Sequence, residues 1–262
     1  MRHGGHGAQT IDHLAYASRM AGWNAGFKTL LALGTLALCL WADRAAVSAA
    51  VIVSLAAVQK GCGGIALRVY GRLLRVPLAF VLLGAAAVAC DLARAPVGDW
   101  QLRLGGLYLC TSAAGLRFAG ALALQSLAAV SALYLLALTT AVSEVVGVLR
   151  RAHLPALLCE VMYLVYRYIF VLLDTHARLK TAAAARLGYR DFRTACRSFG
   201  GEAGNLLVVA LGRARRCYDA MAARGYDGSL GFLEEEKPWR AAQVAGAAAY
   251  WAALAALRLT LG

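Results

Sequence analysis

Three ionisable side chains inside an apolar stretch are the first candidates for chemistry. Glu160, Arg167 and Asp174 interrupt the run that begins at Ala156, at intervals of seven residues. That spacing puts them on one face of a helix, with Tyr163 and Phe170 between them. Ionisable groups in a membrane span are costly and mark ion pathways or relays. A structural reading competes: Arg167 neutralises the two acids, each about two turns away, through water or another helix.

A second set closes two basic stretches. The first is Ala185-Arg186-Leu187-Gly188-Tyr189-Arg190; the second is Ala223-Arg224-Gly225-Tyr226-Asp227-Gly228, preceded by Met221-Ala222. Each offers Ala, then Arg, then a Gly able to take the left-handed position that stops a helix. Arg in a last turn also complements the helix dipole. Plain capping explains either motif alone but not the pair. Two helix ends that each present a forked guanidinium suit acidic grooves on a partner. In the first motif the contact is either Arg186 or Arg190. Between the motifs, Gly200 and Gly204 form a G-x-x-x-G pattern, which predicts a close helix crossing.

Catalysis finds no support. The chain has no Walker A loop, no G-x-S-x-G elbow and no H-E-x-x-H, so neither a nucleophile nor a cofactor site is assigned. His3, His6 and His13 could ligate nickel or cobalt, but three histidines in a Gly-rich segment also arise by chance, and no metal site is assigned. His153 and His176 read as helix-surface residues. The seven cysteines are scattered without C-x-x-C spacing and read as small buried hydrophobes, not a disulfide framework.

Of the 262 residues, 61% are hydrophobic and only 16% are charged, with a net charge of +13. Soluble domains run at roughly 45–50% apolar and about 25% charged. The balance excludes a disordered chain. It also makes nucleic acid a poor partner, because no soluble basic domain remains once the apolar runs are set aside. The bilayer is the expected surroundings, with charges in the loops.

The expected fold is all-α: a polytopic membrane protein of about 5–6 membrane helices with two long crossing cytoplasmic helices. Phe27–Ala42 and Ala45–Val58 flank Asp43-Arg44, and two readings compete there. A hairpin of two short helices is favoured over one long helix with a buried ion pair, which is expensive in mid-bilayer. Lys60–Arg75 carries four cations and no acid and reads as a cytoplasmic loop. Val76–Cys90 crosses back. Asp91–Arg103 is charge-balanced, contains Pro96 and Gly98, and reads as an outside turn. Leu116–Val148 descends again, Pro155 opens the next helix, and Ala241–Leu257 is the last apolar run. From Arg178 to Arg224 ten cations face three acids, which predicts a cytoplasmic location. The expected division is an N-terminal cytoplasmic segment 1–26, a membrane core 27–152, a cytoplasmic coupling region 153–230 and a closing loop and helix 231–262.

The ordered polar motifs resemble those of the transmembrane T component of energy-coupling factor (ECF) transporters, the cobalt/nickel subgroup, over nearly the whole chain. The resemblance rests on Ile11-Asp12 through Trp23-Asn24 and Lys28, on Leu138-Thr139-Thr140, on Leu154-Pro155 with Glu160 and Tyr166-Arg167-Tyr168-Ile169-Phe170, and most closely on Met221-Ala222-Ala223-Arg224-Gly225-Tyr226. The first Ala-Arg-Gly signature departs by Leu187 between Arg186 and Gly188. The resemblance implies a multi-pass protein of the bacterial inner membrane. It implies two ATP-binding cassette ATPase subunits as partners, whose grooves take the Arg-bearing helix ends. It also implies a separate membrane subunit that holds the metal ion. A T component serving a vitamin importer has the same site chemistry, and a self-contained channel or carrier using Glu160, Arg167 and Asp174 is the alternative from another class. The missing phosphate-binding loop gives a direct expectation. The purified single chain, freed of contaminating ATPases, turns over no ATP above a protein-free blank, and measurable turnover refutes that reading.

Overall fold

The computed structural model describes residues 14–93, 100–104, 107–228 and 237–260. Its helices are α1 (Ala25–Ala42), α2 (Ala45–Gly61), α3 (Leu67–Ala89), α4 (Ala113–Thr139), α5 (Val142–Arg151), α6 (Ala156–Ala185), α7 (Phe192–Ala222) and α8 (Ala241–Thr260). The protein is an all-α polytopic membrane protein. By length and composition α1, α3, α4 and α6 can each cross a bilayer, and α2 is a shorter apolar helix of 17 residues. Two compact units divide the chain. One runs from Leu14 to Thr140 and takes in α8; the other begins at Ala141 and holds α5, α6 and α7.

The Asp43-Arg44 break is a hairpin. Asp43 takes a left-handed φ of 43°, which ends α1, and Arg44 is extended before α2 begins. The core of this unit is built from small and branched side chains. Cys39 and Ala42 of α1, Val47, Val51 and Leu55 of α2, Ala128, Ala132 and Leu135 of α4 and Leu254 of α8 form one buried cluster. Lipid is as apolar as these side chains, so close packing of small residues supplies the attraction between the helices. Polar contacts add to it. Trp251 Nε1 donates to Thr35 Oγ1 at 3.2 Å, and Ser54 and Tyr250 hydroxyls lie 2.8 Å apart. At Gly34 a Cβ would run into the Trp251 ring, so glycine is what lets α8 approach α1.

The Lys60–Arg75 segment departs from the expected loop. Only residues 62–66 are non-helical, and Arg68, Arg72 and Arg75 lie in the first turns of α3. Their spacing of four and three is helical, a period that the high charge density obscured. Further along, Pro77 lies inside α3 and has no N–H to give to the Leu73 carbonyl one turn back. That carbonyl accepts instead from Tyr134 Oη of α4 at 3.2 Å. The loss of a helical bond becomes a tie between helices, as the bilayer interior demands. On the outer surface of α3, Val76 and Phe80 are 77% and 78% exposed, the surface that hydrocarbon covers in a multi-pass protein.

Between α3 and α4 the expected turn contains a small antiparallel sheet. Strands β1 (Asp91–Ala93), β2 (Trp100–Leu104) and β3 (Leu107–Thr111) are ordered β1-β3-β2, with Leu102 opposite Leu109. The sequence carried the signal. Trp100-Gln-Leu-Arg-Leu alternates apolar and polar residues and is followed by Gly105-Gly106, a hairpin pattern. Pro96 and Gly98 lie outside the described residues.

Residues 14–24 pack into this unit. Residues Arg19–Gly22 form a 3-10 turn with Met20 fully buried. Asn24 caps α1 by accepting from Gly26 N and donates to the Lys237 carbonyl at 2.6 Å. Lys28, only 1% exposed, gives its ammonium to the carbonyls of Thr139 at 2.8 Å and Met20 at 3.3 Å. A cation at the last carbonyls of α4 is favoured by the helix dipole, and one side chain thereby joins the N-terminal turn, α1 and the end of α4. Replacing Lys28 by Met keeps the volume but leaves buried carbonyls without their donor, which costs about 1–3 kcal/mol. The Lys28→Met variant is expected to melt several degrees below wild type in detergent, and an unchanged melting curve refutes the role given to Lys28.

Candidate coupling site

In the second unit, α7 returns along α6. Asp191 starts it as an N-cap, accepting from Thr194 N at 2.9 Å and Thr194 Oγ1 at 3.0 Å. Those bonds, the backbone one foremost, hold the Asp191 carboxyl below the usual carboxylate range. The paired contacts run in opposite order along the two helices: Gly188 with Ser198, His176 with Glu202, Thr175 with Arg213 and Glu160 with Tyr226.

The two Arg motifs end their helices with one hydrogen-bond pattern. After α6, Arg186 N–H donates to Ala183 O, Leu187 N–H to Ala184 O and Gly188 N–H to Ala183 O. After α7, Arg224 N–H donates to Met221 O, Gly225 N–H to Ala222 O and Tyr226 N–H to Met221 O. The offsets are the same at all three positions, which is the Schellman closure. Arg186 and Arg224 therefore occupy equivalent places, with Ala185 and Ala223 just before them. Both side chains are exposed. Arg190 lies four residues further on, with its Nε 3.6 Å from its neighbour Asp191.

The two closures differ in which residue turns left-handed. In the second motif Gly225 takes the left-handed conformation, φ 80°, as expected. In the first, Leu187 takes it, φ 58°, and Gly188 does not. For a side chain bearing a Cβ that conformation costs about 1–2 kcal/mol. Gly188 serves a different need. It is buried, and a Cβ there would lie 2.5 Å from Ser198 Oγ and 2.8 Å from Ala183 O. The extra Leu187 thus stands where the second motif has its glycine, and Gly188 gives room for the start of α7.

Each closure is tied to the opposite helix by the tyrosine that follows. Tyr189 Oη donates to Glu202 Oε1 of α7 at 2.6 Å, and Tyr226 Oη donates to Glu160 Oε2 of α6 at 3.2 Å. Both acceptors are buried, Glu160 at 4% and Glu202 at 5% exposure. The hydrogen bond to Glu202, above all, raises the Tyr189 phenol pKa; burial first and then the Glu160 charge raise that of Tyr226. Both tyrosines remain donors well above neutral pH. His176 Nδ1 stands 3.8 Å from the other Glu202 oxygen. These ties escaped the sequence reading. Their signal was a Tyr within two residues of each motif's Gly and one lone acid, Glu202, in the first half of a basic helix.

The structure does not bring Glu160, Arg167 and Asp174 together. Seven helical residues rise about 10 Å, too far for direct contact. Glu160 meets Tyr226, Asp174 pairs with Arg178 at 2.7 Å on the exposed surface, and Arg167 faces a groove with Arg213 and Arg216. Nor do Gly200 and Gly204 mark the crossing: both are exposed, and nothing lies within 4 Å of a Cβ built on either. The face of α7 turned to α6 carries Ala203, Leu206, Ala210 and Ala214 instead. Two of the helical rows differ by one residue, so the glycines fall one step off the contact. His3, His6 and His13 lie outside the described residues. Among the described residues no group of three or more His, Cys, Asp or Glu is placed to hold a metal ion.

Residues 20–237 match the family CbiQ, cobalt transport protein. The "Cobalt transport protein CbiQ" of Rhodobacter capsulatus is 31% identical over 224 residues, covering 86% of this chain and 87% of the relative. That of Salmonella typhimurium is 28% identical, over 61% of this chain and 71% of the relative. A "Putative fused cobalt transport protein CbiMQ" of Methanocorpusculum labreanum is 29% identical over 64% of this chain, which spans only 28% of that longer relative. That match takes in α1 through α7, and the chain belongs to the CbiQ family of cobalt transport proteins.

Proposed function

We propose that this chain is the energy-coupling membrane subunit of an ECF-type ABC importer, with cobalt, or nickel, as the cargo. The observation that carries the reading is the pair of equivalent helix closures, each presenting an exposed Arg, Arg186 or Arg224. The names of the relatives supply the cobalt. In this reading two ATPase subunits each take one Arg-bearing tip into an acidic groove. Closure of the ATPase pair on ATP moves the two tips, and α6 and α7 carry that movement to a separate membrane subunit that binds the ion. The chain is then a two-state mechanical link and not a catalyst. A few kcal/mol of preference for one arrangement shifts its population by orders of magnitude. The coupling region is 153–230, and the chain sits in the bacterial inner membrane. In this reading the cargo ion need not touch this chain.

The test is substitution at the tips. An exposed Arg contributes little to stability, usually within about 0.5 kcal/mol, whereas a charge-assisted hydrogen bond to a partner groove contributes roughly 1.5–3 kcal/mol. Arg224→Ala and Arg186→Ala are each expected to weaken capture of the ATPase subunits about tenfold to a hundredfold and to lower cobalt uptake, at normal membrane abundance. Arg224→Lys recovers part of the loss, since an ammonium lacks the planar fork. Arg190→Ala leaves capture near wild type. Full capture and full uptake by Arg224→Ala rejects the coupling role and leaves plain capping as the account of both motifs.

A further inference from the structure

Arg167 of α6 and Arg213 and Arg216 of α7 line one groove of about 470 Å³, with Tyr168, Val171 and Cys217. Arg213 also donates to Thr175 Oγ1 at 3.4 Å, which fixes its guanidinium at the groove wall. Among the described residues none of the three Arg is ion-paired to a carboxylate; Glu160 and Asp174, seven residues to either side of Arg167, have Tyr226 and Arg178 as partners, and Asp219, three residues after Arg216, forms no ion pair with it. Three like charges around one groove repel each other, and no side chain of the described protein balances them. An anion from outside the chain would relieve that repulsion.

The neighbouring groove defines what brings it. Tyr168, Arg213 and Cys217 are shared with a second groove between the same helices, of about 370 Å³, lined by Val161, Leu164, Val165, Leu172, Ala210 and Ala214 among others. That wall is almost wholly apolar. A cationic notch thus opens directly into an apolar channel, along a helix that is itself apolar enough to enter a bilayer. Guanidinium forks match phosphate oxygens in pairs, and the apolar channel fits an acyl chain. A free anion satisfies the notch but leaves the channel empty; a neutral lipid does the reverse.

We propose that this paired groove binds one anionic phospholipid, its phosphate held by Arg167, Arg213 and Arg216 and an acyl chain laid between α6 and α7. The lipid fills the space that the two helices leave between them and anchors the basic end of the unit at the membrane surface. The site is separate from the helix tips and does not depend on the coupling role.

The experiment is lipid retention by the full chain, purified into neutral detergent from vesicles containing phosphatidylglycerol and phosphatidylcholine in equal amounts, and read by native mass spectrometry. Wild type is expected to retain phosphatidylglycerol at least tenfold over phosphatidylcholine, as a single bound lipid. Arg167→Gln with Arg216→Gln brings the ratio to within about twofold of unity. Arg215→Gln, one residue along the same helix, leaves it unchanged. Ala210→Leu fills the apolar channel with all three cations in place and also lowers retention, which separates a lipid from a simple anion. Each variant is checked for the wild-type melting temperature, and the exposed single variant Arg216→Gln, expected to lower the ratio several-fold, serves if the double variant does not fold. Retention of phosphatidylglycerol undiminished in both Arg variants overturns the proposal. So does its displacement by millimolar inorganic phosphate or glycerol phosphate, which identifies the notch as an anion site without an acyl chain.

Discussion

The second unit depends on two buried carboxylates, Glu160 and Glu202, each reached by a tyrosine from the far helix end. A carboxylate withdrawn from water is expensive unless hydrogen bonds replace the solvent. In the low-dielectric space between the two helices those bonds are also stronger than at a surface. The arrangement is reciprocal. Glu202 of α7 holds the end of α6, and Glu160 of α6 holds the end of α7. Neither helix tip can swing away without breaking a tyrosine's hydrogen bond to a buried acid. Two long helices with open grooves between them are thus fastened at both ends, where the exposed Arg side chains project.

The closures themselves explain why the tips are alike despite unlike sequences. A Schellman end needs one residue in the left-handed conformation, and glycine fills that place at no steric cost in the second motif. In the first motif Leu187 fills it at a cost, because the glycine is needed one residue later where Ser198 of α7 approaches the backbone. The hydrogen-bond offsets are conserved between the two ends while the residue types are not. Position in the closure, and not the Ala-Arg-Gly spelling, therefore equates Arg186 with Arg224 and sets Arg190 apart.

Much of the architecture was legible because hydrophobic run length and charge asymmetry are strong signals. The Asp43-Arg44 hairpin, the basic second unit and the closing α8 helix all follow from the cost of charge in hydrocarbon. Three features were misread for identifiable reasons. Arg68, Arg72 and Arg75 looked like a loop because charge density hid their helical spacing. The sheet between α3 and α4 is hidden by Pro96 and Gly98, turn residues that stand beside the alternation at Trp100–Leu104. Spacing by seven put Glu160, Arg167 and Asp174 on one face, but a shared face says nothing about which partners each residue finds across the gap. The Tyr–Glu ties needed the fold itself, since Glu160 and Tyr226 are 66 positions apart in sequence.

The most direct measurement is the distance distribution between the two helix tips. Spin labels are placed at Leu187, which is 68% exposed, and at the exposed Ala223, next to the Arg side chains but outside the Tyr–Glu bonds. Pulsed electron–electron resonance is recorded on wild type and on the Tyr189→Phe, Tyr226→Phe double variant in the same lipid. If the reciprocal ties fix the tips, wild type gives one narrow distribution and the double variant a broad one, with both proteins equally helical. A distribution equally narrow without the two phenol hydroxyls contradicts the central role given to these ties.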